Sequence, residues 1–530
     1  MDYELGFERL RRATLTLISK AIEQAMNTQF NLTENGRKVI YLLDPLEPNK
    51  LRSLAGKHSV TLGATDGSCS VEVFGDTVFI SVAAASLIYE MGFTGSVWIE
   101  KWPGHEIEYS LVLPLLAHQI DAMVSDSTLY FETMASNIMK LLEYMAMVDT
   151  MNIADIIIGD GSLSMDYKMS VNLSINQKLY AKTNLAGLQT KLGELDEYDL
   201  FINLFRTVYS PADRLNPYTL IFQAESNNGK TTLDKTDAST LAQLQTLADT
   251  YPTKIRVEHG ALTLSEEAMK SWDKLVEVLN LLRQNITQAP HPLILQGRQL
   301  ALDDISLLRS YAYIQLLLSA KHSGKLLISV AKDSSSTSLQ ELISSERSQT
   351  NKKFSLPDKL ALEVYSGLKH PDLLTRPWRT LEYDPLSGLN PADSGQTMRE
   401  IFSRFYVQLV VDERIRSDVM VCERLKRSLP TVTPTNPQTT DPDFEYTLGV
   451  LLALSQQTNS IPEAIGHIYP LFEVDKYVKH VVRQLSGMLK SYQALLTTDP
   501  AYREYLSIIK PFRQKRSEFE RGRRSWVQNH

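Results

Sequence analysis

Two short segments, Asp66-Gly67-Ser68 and Asp160-Gly161-Ser162, each follow an apolar, β-branched run. A carboxylate at the end of a buried strand is costly unless a positive charge sits beside it. Two such carboxylates point to a divalent metal, and the helical stretch between them carries more acids, Glu132 and Glu143. A later apolar run, Leu326 to Val330, leads into Lys332. In metal-dependent phosphodiester hydrolysis, hard oxygen ligands hold Mg²⁺ or Mn²⁺, which activates water and neutralises charge developing on the phosphate. Lys332 would contact a non-bridging oxygen. The Gly after each Asp, with Ser68 and Ser162, would admit a nucleic-acid backbone. Singly, Asp-Gly is a common turn signal, so the weight lies on the order of the motifs.

The elements that must position these residues follow from periodicity. Ser59 to Ala64 reads as a strand entering Asp66, with Ser70 to Phe74 and Val78 to Ala83 as two more, an antiparallel meander broken at Gly75-Asp76. Ser96 to Glu100 reads as a further strand. Residues 127–149 place Phe131, Met134, Ile138, Leu141, Leu142 and Met145 at helical spacing. The methionines around Glu143 then read as helix packing. Ile156-Ile157-Ile158 has the continuous apolar character of a central strand covered on both faces, ended by Asp160.

Residues 165–320 read as a mostly helical insertion between strands of one sheet, with helices at Lys270 to Arg283 and Asp303 to Ser319 and a strand at Tyr218 to Phe222. The expected organisation is an amphipathic helix over 1–30, a first core segment over 31–164, the insertion over 165–320, a second core segment over 321–490 and a basic helical tail over 491–530. The N-terminal helix is a candidate partner contact. Pro430, Pro434, Pro437 and Pro442 mark an exposed loop.

Composition narrows the function classes. The 530 residues are 43% hydrophobic and 22% charged, an ordinary globular balance. There is no uninterrupted apolar run of about 20 residues, and Met1-Asp2-Tyr3-Glu4 lacks a secretory layout. Cys69 and Cys422 are the only cysteines, which supports neither a disulfide framework nor a zinc site and suits the cytoplasm. A net charge of −7 argues against nucleic-acid binding by the whole surface. The segment from Lys510 to Trp526 is different: Arg513, Lys515 and Arg516 belong to seven basic side chains set against two acidic ones, interleaved with Phe512, Phe519 and Trp526. That pattern suits phosphate contacts with stacking, or a solvated helix. Asn227-Asn228-Gly229-Lys230-Thr231-Thr232 lacks the first glycine of a phosphate loop, because Ala224 holds its place, and reads as a polar loop. Paired-carboxylate glycoside hydrolysis finds little support, with five Trp and none near Asp66 or Asp160.

The ordered motifs resemble the NurA family of nucleases. Leu62-Gly63-Ala64-Thr65-Asp66-Gly67-Ser68 is similar to its first motif, Leu142-Glu143 to its helical acid with Glu132 as runner-up, and Ile157-Ile158-Gly159-Asp160-Gly161-Ser162-Leu163 to its second Asp motif. Ile328-Ser329-Val330-Ala331-Lys332-Asp333-Ser334 resembles the later strand motif. The final motif departs: aligned on Gly466 and Leu471, His467 stands at the family's Tyr and Asp475 at its His, with Tyr469 close by. The resemblance implies an α/β fold with an RNase H-like mixed sheet and metal ligation by Asp66, Glu143 and Asp160. It also implies a Mn²⁺-favouring deoxyribonuclease, with Mg²⁺ as the alternative, having 5′ to 3′ exonuclease and single-strand endonuclease activity. A homodimer partnered by the hexameric translocase HerA completes it. His467 and Asp475 would complete the acid-base set. The rival expectation is a structural, DNA-guiding subunit weakened at that final motif.

Overall fold

The structure is a computed structural model that describes residues 3–27, 39–74, 77–116, 127–171, 183–196, 199, 230–232, 238–258, 261–331, 334–340, 357–368, 373, 375–385, 401–410, 417–427, 441–457, 464–496 and 498–500. Lys332, Tyr218 to Phe222 and the basic stretch holding Arg513, Lys515 and Arg516 lie outside them.

One mixed sheet of ten strands organises the chain: β1 (Ile40–Leu42), β2 (Ser59–Phe74), β3 (Thr77–Gly92), β4 (Trp98–Lys101), β5 (Ile107–Leu116), β6 (Ile156–Asp160), β7 (Leu326–Ala331), β8 (Trp378–Thr380), β9 (Phe402–Gln408) and β10 (Met420–Leu425). Their order is β1-β8-β9-β10-β7-β6-β2-β3-β4, with β5 also paired to β3. β6 lies between β2 and β7 and runs parallel to both, and the other pairs are antiparallel.

The helices are α1 (Tyr3–Asn27), α2 (Pro48–Ala55), α3 (Ser127–Thr150), α4 (Leu163–Val171), α5 (Ala238–Thr250), α6 (Glu266–Gln288), α7 (Leu302–Ser323), α8 (Asp358–Leu368), α9 (Pro442–Gln456) and α10 (Tyr469–Leu496). Local chemistry sets several of their ends. Ser265 accepts the Ala268 N–H to cap α6, the Asp304 carboxylate takes the Ala301 N–H at 2.9 Å to open α7, and Pro442 follows the Asp441 cap of α9. Gly324, at φ +61°, closes α7.

α3 and α7 pack together on one face of the sheet, where Ile80 and Val82 of β3 meet Leu141, Leu142 and Leu317. α9 and α10 cover the other, against Leu62, Ala64, Leu87 and Ile158. Each Leu or Ile buried this way stabilises the fold by roughly 1.5–3 kcal/mol. The expected insertion therefore supplies a wall of the core, α7, and not only an appendage. Lys230–Thr232, expected in a polar loop, is a short strand paired to Ala261–Thr263, and the rest of that expected loop, 227–229, lies outside the described residues. Among the described residues no helix is long and apolar enough to cross a membrane.

One expected boundary is wrong. Asp66 does not end a strand: β2 runs straight through it, pairing with β3 from Ser59↔Gly92 to Phe74↔Thr77, and the supposed first two strands of the meander are one. Gly67 and Ser68 face Ala84 and Ala83, small residues that let the ladder continue past a local turn signal.

Candidate active site

The register of the parallel strands brings the two aspartates together. β2 and β6 pair from Leu62↔Ile156 to Thr65↔Gly159, and the next position sets Asp66 beside Asp160. On the far side Val330 of β7 pairs with Asp160, and the Gly161 N–H donates to the Val330 carbonyl at 3.2 Å. β6 stops at this point while β2 continues as a hairpin with β3. The site thus lies at the carboxyl end of a central parallel strand, where open α/β sheets keep their ligand crevices. By strand alternation Asp66 shares the face of Leu62 and Ala64, the one covered by α10.

Glu143 arrives from the opposite face, and Gly67 is the reason it fits. A Cβ on Gly67 would collide with Glu143 Oε1 and lie 2.7 Å from Met139 Cγ. The same helix sets Met147 over Gly159 and Thr150 over Gly63, so residues 139, 143, 147 and 150 form one stripe seated on three glycines. The glycine after Asp66 therefore receives a helix of this chain, not the nucleic-acid backbone expected of it. Glu132, the alternative acid, is exposed.

Charge is concentrated here out of water. Asp66 is 8% exposed, and burial, helped by Glu143, Asp160 and Asp475, pushes its carboxyl up to about 8; the Gly67 N–H, bonded to Asp66 Oδ1 at 2.8 Å, opposes the rise. Glu143 is 2% exposed and is also raised by burial, against the pull of Lys140, whose Nζ donates to Glu143 Oε2 at 2.6 Å. Burial lowers the proton affinity of Lys140, but Glu143, Asp166 and Asp160 outweigh it and hold the group above its ordinary value. Glu143 Oε1 is buried with no hydrogen-bond partner.

Among the described residues no three acidic, His or Cys side chains are gathered round one point as metal ligands. In kind, the donors nonetheless fit a hard divalent cation. They are carboxylate oxygens, with Asp66 pushed up by burial and by Glu143 and Asp160 and one buried Glu143 oxygen unsatisfied, and a cation would relieve both costs.

The final motif divides. Asp475, near the start of α10, is one of the charges acting on Asp66 and pairs with Lys479 at 2.7 Å. His467 sits half-buried in the turn before α10, its N–H on the Ala464 carbonyl at 2.8 Å. Tyr469 packs edge-on against Tyr89, ring centroids 6.3 Å apart. Ser68 is half-buried in mid-strand.

Ser162 belongs to a network that sequence reasoning misses. Its hydroxyl donates to Glu423 at 3.1 Å, as does the Ser164 hydroxyl at 2.7 Å, and Glu423 is ion-paired with Arg404, whose Nε lies 2.6 Å away. Arg404 also reaches Ser336 and Ser338 at 2.9 and 3.1 Å. One buried pair thereby fixes both the loop after Asp160 and the segment beginning at residue 334. Lys140 and Asp166 are likewise missed, although Lys140 lies one helical turn before Glu143 and Asp166 one turn into the helix after the second Asp-Gly-Ser.

No protein-family model matches the chain, and no curated protein matches it. Among solved structures it is similar to the NurA nuclease from Sulfolobus solfataricus, at 10% identity and TM-score 0.43 over 92% of this chain and 97% of that one. It is also similar to a NurA structure at 16% identity and TM-score 0.40 (89% and 94% covered) and to NurA bound to dAMP and manganese at 15% and 0.40 (91% and 94% covered).

Proposed function

We propose that this chain is a divalent-metal-dependent DNA nuclease whose site is Asp66, Glu143 and Asp160. The observation that supports the reading is the register that sets Asp66 beside Asp160 at one strand end, with Glu143 of α3 entering against Gly67 from the other face and its Oε1 buried and unsatisfied. A bound Mn²⁺ or Mg²⁺ supplies Lewis acidity toward a phosphate oxygen and lowers the pKa of water. The chain's own part is to hold the carboxylates apart from solvent and fixed in direction. The Gly67 N–H orients Asp66, Lys140 orients Glu143, and the Arg404–Glu423 pair secures the loop after Asp160. Lys332, the residue after β7, would contact the scissile phosphate, and Asp475 or His467 would assist proton transfer.

From the motif resemblance come the finer parts of the proposal: 5′ to 3′ exonuclease and single-strand endonuclease action in the cytoplasm, a homodimer, and work beside a HerA-type hexameric ATPase in DNA end processing or defence. The exposed Leu15, Leu17, Ile18 and Ile22 of α1 are consistent with a partner contact, and Arg513, Lys515 and Arg516 with a grip on DNA. End-labelled single-stranded and duplex DNA with Mn²⁺ tests the core of it. The parent should cleave, and Asp66→Ala and Asp160→Ala should not. Absence of cleavage by the parent, even with a HerA-type partner added, overturns the nuclease reading in favour of a structural subunit.

A further inference from the structure

We propose that the outward face of α10 is a track for the phosphate backbone of DNA, leading to the strand end that holds Asp66 and Asp160. This rests on the reading of the chain as acting on DNA and names a surface that grips it. α10 buries Leu471, Val474, Val478, Val482 and Leu489 on its sheet side. On the opposite side Lys476, His480, Arg483, Gly487 and Lys490 recur at alternating steps of four and three residues, and all five are exposed. At 1.5 Å per residue that row is about 21 Å long.

Its charge is one-sided. The whole chain has 62 acidic against 55 basic side chains, yet from Lys476 to Leu496 α10 holds Lys476, Lys479, Arg483 and Lys490 and no acid. A solvated helix face mixes signs, as α6 does with Glu266, Glu267, Asp273 and Glu277 among Lys270, Lys274 and Arg283. The acids near α10 are engaged on its flanks instead: Tyr477 donates to Glu108 Oε2 at 2.6 Å, Ser486 donates to Glu72, and Asp475 pairs with Lys479 at 2.7 Å. Among the described residues Arg483 and Lys490 form no ion pair.

Position ties the row to the site. Glu108 stands opposite Ala85, and Ala85 opposite Asp66, so Tyr477 crosses the sheet at the level of Asp66. Ser486 then meets Glu72, further along β2. Between those two points β6 has ended at Asp160, so the row lies over the part of the β2–β3 hairpin that extends past the strand end. A polyanion is the occupant that fits a row of solvated cations beside such a site. Gly487, between Arg483 and Lys490, has open space where a Cβ would stand, which leaves the row unobstructed.

Fluorescence anisotropy of labelled single-stranded DNA with the full-length chain in EDTA, at several salt concentrations, tests the track without cleavage. Arg483→Gln combined with Lys490→Gln should lower the slope of log K against log salt by about 1.4, two contacts of about 0.7 each. Gly487→Glu sets an acid into the open middle of the row and should weaken binding at low salt, with the loss shrinking as salt rises. Gly487→Gln, of the same size and uncharged, should bind as the parent does. An unchanged slope in the double variant, or Gly487→Glu binding as tightly as Gly487→Gln at low salt, overturns the inference. A parent that binds no DNA overturns the nucleic-acid reading itself, a result distinct from either of those.

Discussion

Removing the charge of Asp66 should stabilise the metal-free protein, and the size of the effect follows from its surroundings. Burial, with Glu143, Asp160 and Asp475, raises this carboxyl from 3.8 to about 8. The folded chain therefore keeps a proton that the unfolded chain releases above pH 3.8. Because the folded pKa is the higher one, stability is complete below that pH and is lost as pH climbs toward 8. The loss is about 4 kcal/mol at pH 7 and under about 1 kcal/mol at pH 4. Asp66→Asn has the same shape, keeps an oxygen for the Gly67 N–H and never ionises.

Urea unfolding in EDTA across that pH range is the assay. The variant should exceed the parent by about 4 kcal/mol at pH 7 and match it to within about 1 kcal/mol at pH 4. Mn²⁺ at a hundred times its Kd should then stabilise the parent by about 2.7 kcal/mol, with a smaller gain for the variant, and so narrow the gap at pH 7. A parent–variant difference that is the same at pH 4 and pH 7, or a parent that is the more stable at pH 7 without metal, refutes the picture of mutually opposed buried carboxylates.

Other perturbations test the supports of the site. Gly67→Ala forces α3 off β2 and should cost about 1–3 kcal/mol by urea unfolding, with weaker Mn²⁺ binding although every carboxylate remains. Arg404→Met leaves Glu423 buried and unpaired and should cost about 3–5 kcal/mol; adding Glu423→Leu should recover most of it, and a double-mutant cycle measures the coupling. Replacing Arg513, Lys515 and Arg516 together by Ala should reduce the slope of log K against log salt for single-stranded DNA by about 2, read from fluorescence anisotropy at several salt concentrations.

How much of this is legible in the sequence depends on whether the deciding interaction is local. Asp160 is placed correctly because three isoleucines and the acid that follows them are adjacent, and a strand buried on both faces needs no distant information to be recognised. Asp66 is expected at a strand end and lies instead in the middle of one. The Asp-Gly turn preference is local, whereas the pairing with β3 that overrides it is settled by residues up to Gly92. Glu132 and Glu143 share one phase of α3, eleven residues apart; what separates them is position along the helix, Glu132 lying exposed in its second turn and Glu143 buried against Gly67. Neither the strand nor the helix announces that fit alone.

Cation balance is the least legible part because packing decides it. Lys140 and Glu143 are an everyday i,i+3 pair until Gly67 lets the helix descend and water is excluded, at which point the ammonium becomes a fixed constituent of an acidic site. Arg404 and Glu423 sit on neighbouring strands, and their partners Ser162 and Ser164 lie about 240–260 residues earlier in the chain. A buried pair of that kind contributes little net stability, so its value lies in direction. It ties the loop beyond Asp160 to the segment beyond Lys332 through Ser336 and Ser338. If those two segments must approach one phosphate together, Arg404→Lys, which keeps the charge but loses the fork that reaches Glu423 and the serines at once, should lower kcat more than it raises KM. A pure KM effect, or a fall in stability by urea unfolding with kcat unchanged, would assign the pair to stability alone.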